Sequence, residues 1–275
     1  MSTATAWPDD RRITIRDLQA ATDRGERWSM LTSYDTLTAG VFEQAGVRAL
    51  LVGDTSAELV LGYRDTLPVT MDQLVPMVQA VVRGTRTALV VADLPFGSYQ
   101  AGPQAALASA VRHLQEGGAQ AVKLEGGRRV LPQVEALTGA GIPVMGHLGL
   151  TPQSVNVLGG MRRVQGRGDA GPELLADAQA LERAGAFAVV LESVPAELGR
   201  QVSAALRIPT IGIGAGPYCD AQIMVWQDMA GLTTGRLPRF VKRYADLRGA
   251  LLDAAHQFVT EVASQRYPDP AHSYT

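Results

Sequence analysis

Cysteine is almost absent from this chain of 275 residues. The single thiol, Cys219, excludes an internal disulfide and suits a reducing compartment. Basic charge is not in excess: the formal net charge is −2, so no field points to nucleic acid or to an anionic membrane. No apolar run approaches the roughly 18 residues of a membrane span. The first twelve residues mix Asp9, Asp10, Arg11 and Arg12 without an apolar core, so no secretory signal is expected and a cytoplasmic location is. Clustered Cys and His ligands are missing too, which leaves hard oxygen donors as the ligands for any metal.

What is present is an ordinary globular composition, 46% hydrophobic and 19% charged, arranged with a period. Short apolar runs recur at 28–33, 49–53, 88–92, 121–124, 142–145, 188–191 and 210–213, with a weaker eighth at 223–226. Helix-like stretches lie between them, as at 71–83, 103–116, 172–184 and 196–206. Several end in glycine a few residues before the next apolar run, namely at Gly46, Gly118, Gly141 and Gly185. Glycine there supplies the left-handed cap that ends a helix and feeds a short loop. Repeated strand, helix and cap imply parallel strands joined by crossover helices. Eight such units predict an α/β (β/α)8 TIM barrel; an open doubly wound sheet is the alternative.

A single domain is expected over residues 1–275. It divides into an N-terminal arm and short helix (1–25), the barrel (26–236), and a C-terminal helix and tail (237–275). Thr14 and Asp17 are spaced to cap the first helix. Phe240, Val241, Tyr244, Leu247, Leu251, Phe258 and Val262 follow helical spacing, which predicts a long amphipathic C-terminal helix packed on its own chain or a partner.

Within 121–127 a lysine and a glutamate interrupt an apolar strand two positions apart, so Lys123 and Glu125 face one way. Buried, they require partners. Other polar residues also end successive strands: Tyr34 and Asp35, Asp54 and Thr55, Asp93, His147, Glu192 and Ser193, and Asp228. That rim, at the carboxyl ends of the strands, is where parallel α/β folds place their sites. Asp54, Asp93 and Glu125 end three consecutive strands; converging anions call for a cation, and hard oxygen donors suit Mg²⁺. Helix capping is the plainer role for Asp54 or Asp93 taken singly. His147 is either a substrate contact or a structural histidine; His113, His256 and His272 read as structural. Gly212, Gly214 and Gly216 mark a tight turn rather than a dinucleotide site.

Seven segments taken together resemble one family: 51–55, 66–70, 92–96, 122–127, 146–156, 164–168 and 211–216. Their sequences, among them Val122-Lys-Leu-Glu-Gly-Gly127 and Gly146-His-Leu-Gly-Leu-Thr-Pro-Gln-Ser-Val-Asn156, are similar to ketopantoate hydroxymethyltransferases. The resemblance implies a Mg²⁺-dependent barrel enzyme of pantothenate biosynthesis. Such an enzyme moves a one-carbon unit from 5,10-methylenetetrahydrofolate to 3-methyl-2-oxobutanoate and yields 2-dehydropantoate. It implies metal contacts from Asp54, Asp93 and Glu125, and substrate contacts from Asp54, Thr55, Asp93, Lys123 and His147. Glu192 becomes the proton acceptor. A homodecamer, a pentamer of dimers, is implied as well. Thr55 stands where the family usually has serine, and Arg162-Arg163 and Thr233-Thr234-Gly235 are less usual. The competing readings are another Mg²⁺ enolate enzyme, a lyase or phosphonopyruvate-type mutase, and a non-catalytic relative.

Overall fold

A computed structural model describes residues 7–160 and 164–275, so Arg162-Arg163 lie outside the described residues. Two compact units are present, Met1–Met224 and Val225–Thr275.

The first unit is built on eight strands: β1 (Trp28–Thr32), β2 (Ala49–Val52), β3 (Leu89–Asp93), β4 (Ala121–Glu125), β5 (Val144–Gly149), β6 (Ala188–Glu192), β7 (Thr210–Ile213) and β8 (Ala221–Met224). All pair in parallel, each with the next, and β8 returns to β1. Closure decides for the barrel over the open sheet. The eighth strand sits two residues earlier than its apolar signal, because pairing of Trp28 with Ala221 and Leu31 with Met224 sets its register. The fifth starts later and runs further, to Gly149 opposite Glu192.

Before the barrel comes α1 (Ile15–Asp23); between strands lie α2 (Thr36–Gln44), α3 (Ser56–Leu59), α4 (Met71–Arg83), α5 (Pro103–Gln115), α6 (Leu131–Gly139), α7 (Val155–Leu158), α8 (Ala170–Arg183) and α9 (Ala196–Ala205). The glycine caps form as expected, with φ of +89° at Gly46, +78° at Gly118, +81° at Gly141 and +91° at Gly185.

Period-two alternation sorts the strand residues between two cores. Val122 and Leu124 pack outward with Ala106 and Ala110 of α5 and Val134 and Leu137 of α6. Ala121 turns inward and shares the barrel interior with Leu89, Val91, Met145, Ala188 and Val190. Continuing the inward row, Val91 leads to Asp93, Ala121 to Lys123 and Glu125, Met145 to His147, and Val190 to Glu192. The interior is therefore apolar at one end and ionisable at the other. Ile13, Leu18 and Ala21 of the α1 segment join the apolar interior cluster. Ile13 N–H donates to Thr87 O at 2.7 Å and Gln19 Nε2 to Arg207 O at 2.8 Å, both just before strands. The α1 segment thus plugs the amino end and leaves the carboxyl end for chemistry.

In the second unit, α10 (Trp226–Met229) is short and α11 (Leu247–Ala263) is the expected C-terminal helix. Phe240, Val241 and Tyr244 fall outside it, a correction to the helical spacing read from sequence. Asp246 is the reason: its side chain accepts from Gly249 N at 3.1 Å and starts the helix there. Asp228 belongs to α10 and not to a strand end. No helix among the described residues is long and apolar enough to cross a membrane.

The α1 cap is a reciprocal box, with Thr14 receiving Asp17 N–H and Asp17 receiving Thr14 N–H. Replacing Thr14 with Ala is expected to cost about 1 kcal/mol in urea unfolding. The hydrogen bond from Arg11, foremost, holds the Asp17 carboxyl below the usual carboxylate range. A depressed carboxylate stabilises above its unfolded pKa and loses that benefit as pH falls through the native one. Asp17→Asn should therefore weaken the fold at neutral pH and lose its effect in strong acid; equal effects at both would refute the ion pair.

Candidate active site

Strand register brings the ionisable side chains together. Asp93 and Lys123 are Cα partners across β3 and β4, and Glu125 and His147 are partners across β4 and β5. Lys123 Nζ lies 2.9 Å from Asp93 Oδ1, with both side chains at most 4% exposed. The two charges flagged by the interrupted strand therefore do face one way, into a closed interior, and an exposed edge strand is ruled out.

Asp54 follows β2, and its backbone N–H donates to Asp93 Oδ2 at 3.2 Å. Its carboxylate does not cap α3, where Thr55 occupies the cap position without a side-chain bond. Instead Asp54 Oδ2 accepts from Gln153 Nε2 at 2.9 Å. Asp93 caps nothing either, since Gly102 precedes α5. Of the carboxylates read at the strand ends, Asp35 is one that does cap a helix, accepting from Leu37 and Thr38 N–H.

Burial raises the Asp54 pKa well above the ordinary range, and the charges of Asp93 and Glu125 raise it further. Burial also raises Asp93, against the pull of Lys123. Three buried carboxylates share the single ammonium of Lys123, whose own pKa rises because those carboxylates overcome its burial. The cluster is short of positive charge.

His147 joins Glu125 to Glu192. Its Nδ1 is 3.2 Å from Lys123 Nζ and 3.4 Å from Glu125 Oε1, and its Nε2 is 3.2 Å from Glu192 Oε2. Burial and the neighbouring ammonium oppose a charge on the ring, but bonds to Glu125 and Glu192 prevail and lift its pKa to about 9. With Nδ1 taken up by Lys123 in the neutral ring, Nε2 carries the proton in either state. Glu192 keeps 16% of its side chain open and is the most accessible carboxylate in this set.

Gln153 and Tyr99 are the residues that sequence reasoning missed. Gln153 lies in the 146–156 motif, but nothing in its type or spacing marked it; Tyr99 belongs to the loop after β3, where no pattern singled it out. His113, read as structural, is fully buried; burial lowers its pKa to about 4, and the neutral ring's Nε2 donates to Asp93 O at 2.8 Å. Cys219 is buried and its thiol pKa is raised by that burial, which suits an inert thiol. Gly214 and Gly216 adopt φ of +67° and +80°, the tight turn expected after β7.

Among the described residues no three Asp, Glu, His or Cys side chains are arranged to hold a metal ion by themselves. Asp93 is engaged by Lys123, and the Glu125 oxygens face Gln153 N at 2.9 Å and His147. The donor set nonetheless suits a cation that needs few protein ligands. Mg²⁺ is commonly bound through one or two carboxylates and keeps several waters. Uncompensated negative charge around Asp54 is what such an ion would offset.

A family model described as ketopantoate hydroxymethyltransferase matches residues 12–270. A protein of Frankia alni named 3-methyl-2-oxobutanoate hydroxymethyltransferase is 64% identical, covering 98% of this chain and 89% of its own length. Its namesake from Thermobifida fusca is 62% identical, covering 96% and 94%. Among solved structures, phosphonopyruvate hydrolase in complex with oxalate and Mg²⁺ is similar at a TM-score of 0.62 and 14% identity, covering 96% of this chain and 92% of its own. A 2,3-dimethylmalate lyase matches at 0.57 and 18%, covering 94% and 90%. At such identities the likeness extends to the barrel fold alone.

Removing the ammonium leaves a buried carboxylate unpaired, which typically costs 3–5 kcal/mol. Lys123→Met is expected to lower unfolding stability by about 3 kcal/mol, and adding Asp93→Asn should recover part of the loss. A single variant as stable as the parent in denaturant titration would show that the pair does not hold the mouth together.

Proposed function

Because the chain belongs to the ketopantoate hydroxymethyltransferase family, we propose that its barrel mouth transfers a hydroxymethyl group to 3-methyl-2-oxobutanoate and yields 2-dehydropantoate. The one-carbon donor is 5,10-methylenetetrahydrofolate. The observation that carries this reading is the graded cluster itself: Asp93, Lys123 and Glu125 buried, with the partly open Glu192 3.2 Å from His147 Nε2. Family membership also decides against the lyase, mutase and non-catalytic alternatives.

Mg²⁺, held by Asp54 and Asp93 with Glu125 in support, would draw electron density from the keto acid and so favour loss of its C3 proton. Every other step falls to side chains. Glu192 takes the C3 proton, being the accessible carboxylate at the rim. His147 Nε2 stands 3.2 Å from Glu192 and, when the ring is protonated, favours the ionised form of that base. Lys123 offsets negative charge that builds on the substrate. Thr55 presents its hydroxyl to the substrate carboxylate; α3 does not use that hydroxyl as a cap. Water adds to the methylene carbon of the folate, both of its C–N bonds break, and formaldehyde separates from tetrahydrofolate. The carbanionic C3 attacks that carbon, and the new alkoxide takes the proton back from Glu192 to become the hydroxymethyl group.

A homodecamer in the cytoplasm completes the reading. In its support, α11 exposes Leu251, Leu252, Phe258, Val259 and Val262, each about half open or more. Apolar surface of that extent on one helix is expected to be covered by another copy. Light scattering should then report an assembly and not a single chain of 29.2 kDa.

The direct test supplies keto acid, methylenetetrahydrofolate and Mg²⁺ together. 2-Dehydropantoate is expected, and chelation of the metal should stop its formation; any other product overturns the assignment. Glu192→Gln should still bind 3-methyl-2-oxobutanoate yet lose exchange of its C3 proton with deuterated water. Normal exchange in that variant would remove Glu192 from the role of base.

A further inference from the structure

Gln153 is 5% exposed and makes polar contacts to two carboxylates of this cluster. Its backbone N–H donates to Glu125 Oε2 at 2.9 Å. Its side-chain Nε2 donates to Asp54 Oδ2 and to Leu94 O, both at 2.9 Å. Oε1 accepts from Tyr99 O–H at 2.7 Å and from Gln100 Nε2 at 3.3 Å. One residue thus ties the carboxylate after β2 to the carboxylate ending β4, from a loop that follows β5.

The amide cannot be reversed. Leu94 O is an acceptor only, and an ionised Asp54 is too, so both hydrogens of Nε2 are committed on that side. A flipped amide would set its oxygen against two acceptors and its NH2 against a phenol that is itself oriented. The Tyr99 oxygen accepts from Glu125 N–H at 3.2 Å, and its one hydrogen has Gln153 Oε1 at 2.7 Å as a nearer acceptor than Glu125 O at 3.3 Å. Gln133 Nε2 in turn donates to Tyr99 O at 3.2 Å and anchors the tyrosine backbone. Each member determines the orientation of the next.

We propose that Gln153, oriented by Tyr99, is a positioning residue of the reaction that sets the Asp54 carboxylate, and with it the divalent-cation site, against Glu125. The inference rests on the hydroxymethyltransferase reading for its chemistry, but on the hydrogen bonds alone for its geometry. Outer partners of metal-binding carboxylates typically contribute 10–100-fold to metal affinity or activity.

Gln153→Met keeps the backbone bond to Glu125 and deletes the bond to Asp54, while Tyr99→Phe deletes the hydroxyl that orients the amide together with its bonds to the Glu125 backbone. Mn²⁺ serves as the probe, its binding to the substrate-free protein read from the free-ion electron paramagnetic resonance signal. Both variants are expected to bind Mn²⁺ about tenfold more weakly. They should also lower kcat for 2-dehydropantoate formation more than they raise KM for the keto acid. In the Gln153→Met background, adding Tyr99→Phe should change Mn²⁺ affinity little, because the tyrosine acts through the amide. Unchanged Mn²⁺ binding in a folded single variant, or full additivity in the double, overturns the proposal. If Gln153→Met fails to fold, Tyr99→Phe alone decides. An inactive parent that still loses Mn²⁺ binding in both variants would overturn the transferase reading and leave the positioning role supported.

Discussion

Charge compensation inside a closed barrel is the constraint on which the rest of this structure depends. Asp54, Asp93 and Glu125 are buried beside one ammonium, that of Lys123, 2.9 Å from Asp93. An uncompensated carboxylate in such a place is costly, so the neighbouring structure is committed to satisfying these groups. The Asp54 backbone, the Gln153 amide and backbone, and His147 each answer one of those needs. Rigidity at the mouth follows from charge before it follows from catalysis.

The barrel supplies the geometry that makes the arrangement reachable. Parallel strands in sequential order place Asp93 beside Lys123 and Glu125 beside His147 by register alone. The same period-two alternation fills the other end of the interior with Leu89, Val91 and Met145, and the α1 residues Leu18 and Ala21 join them there. Apolar packing there excludes water from the lower barrel and lets the polar end be organised without competing solvent. A gradient then runs from the deeply buried Asp93 and Lys123 to the more open Glu192, which is the order that the proposed charge stabilisation inside and proton transfer at the rim require.

Much of this was legible from sequence where the signal is local. The Thr14 and Asp17 box, the four glycine caps and the span of α4 depend on residues within a turn of one another, and they form as read. The convergence of carboxylates was legible too, because strand ends in a parallel barrel share one rim. Boundaries set by distant pairing were not. β8 takes its register from β1, and Ala221 and Gln222 carry no apolar signal of their own. The start of α11 was displaced because helical spacing at Phe240 and Tyr244 continues through a segment that never becomes helical, while the Asp246 cap decides. Tyr99 and Gln153 stayed hidden since they lie 54 positions apart and neither is an ionisable residue ending a strand.

By itself the sequence determined the repeating strand and helix units, the residue types at the carboxyl rim and the family they match. Those follow from periodicity and from spacing along the chain, which the chain carries whether folded or not. Only the tertiary structure decided that Lys123 neutralises Asp93, that His147 turns Nε2 to Glu192, and that Gln153 bridges Asp54 and Glu125. Hydrogen bonds and ion pairs act over about 3 Å. Which groups come that close is set by barrel closure and by loops folding across it, and not by any distance measured along the sequence.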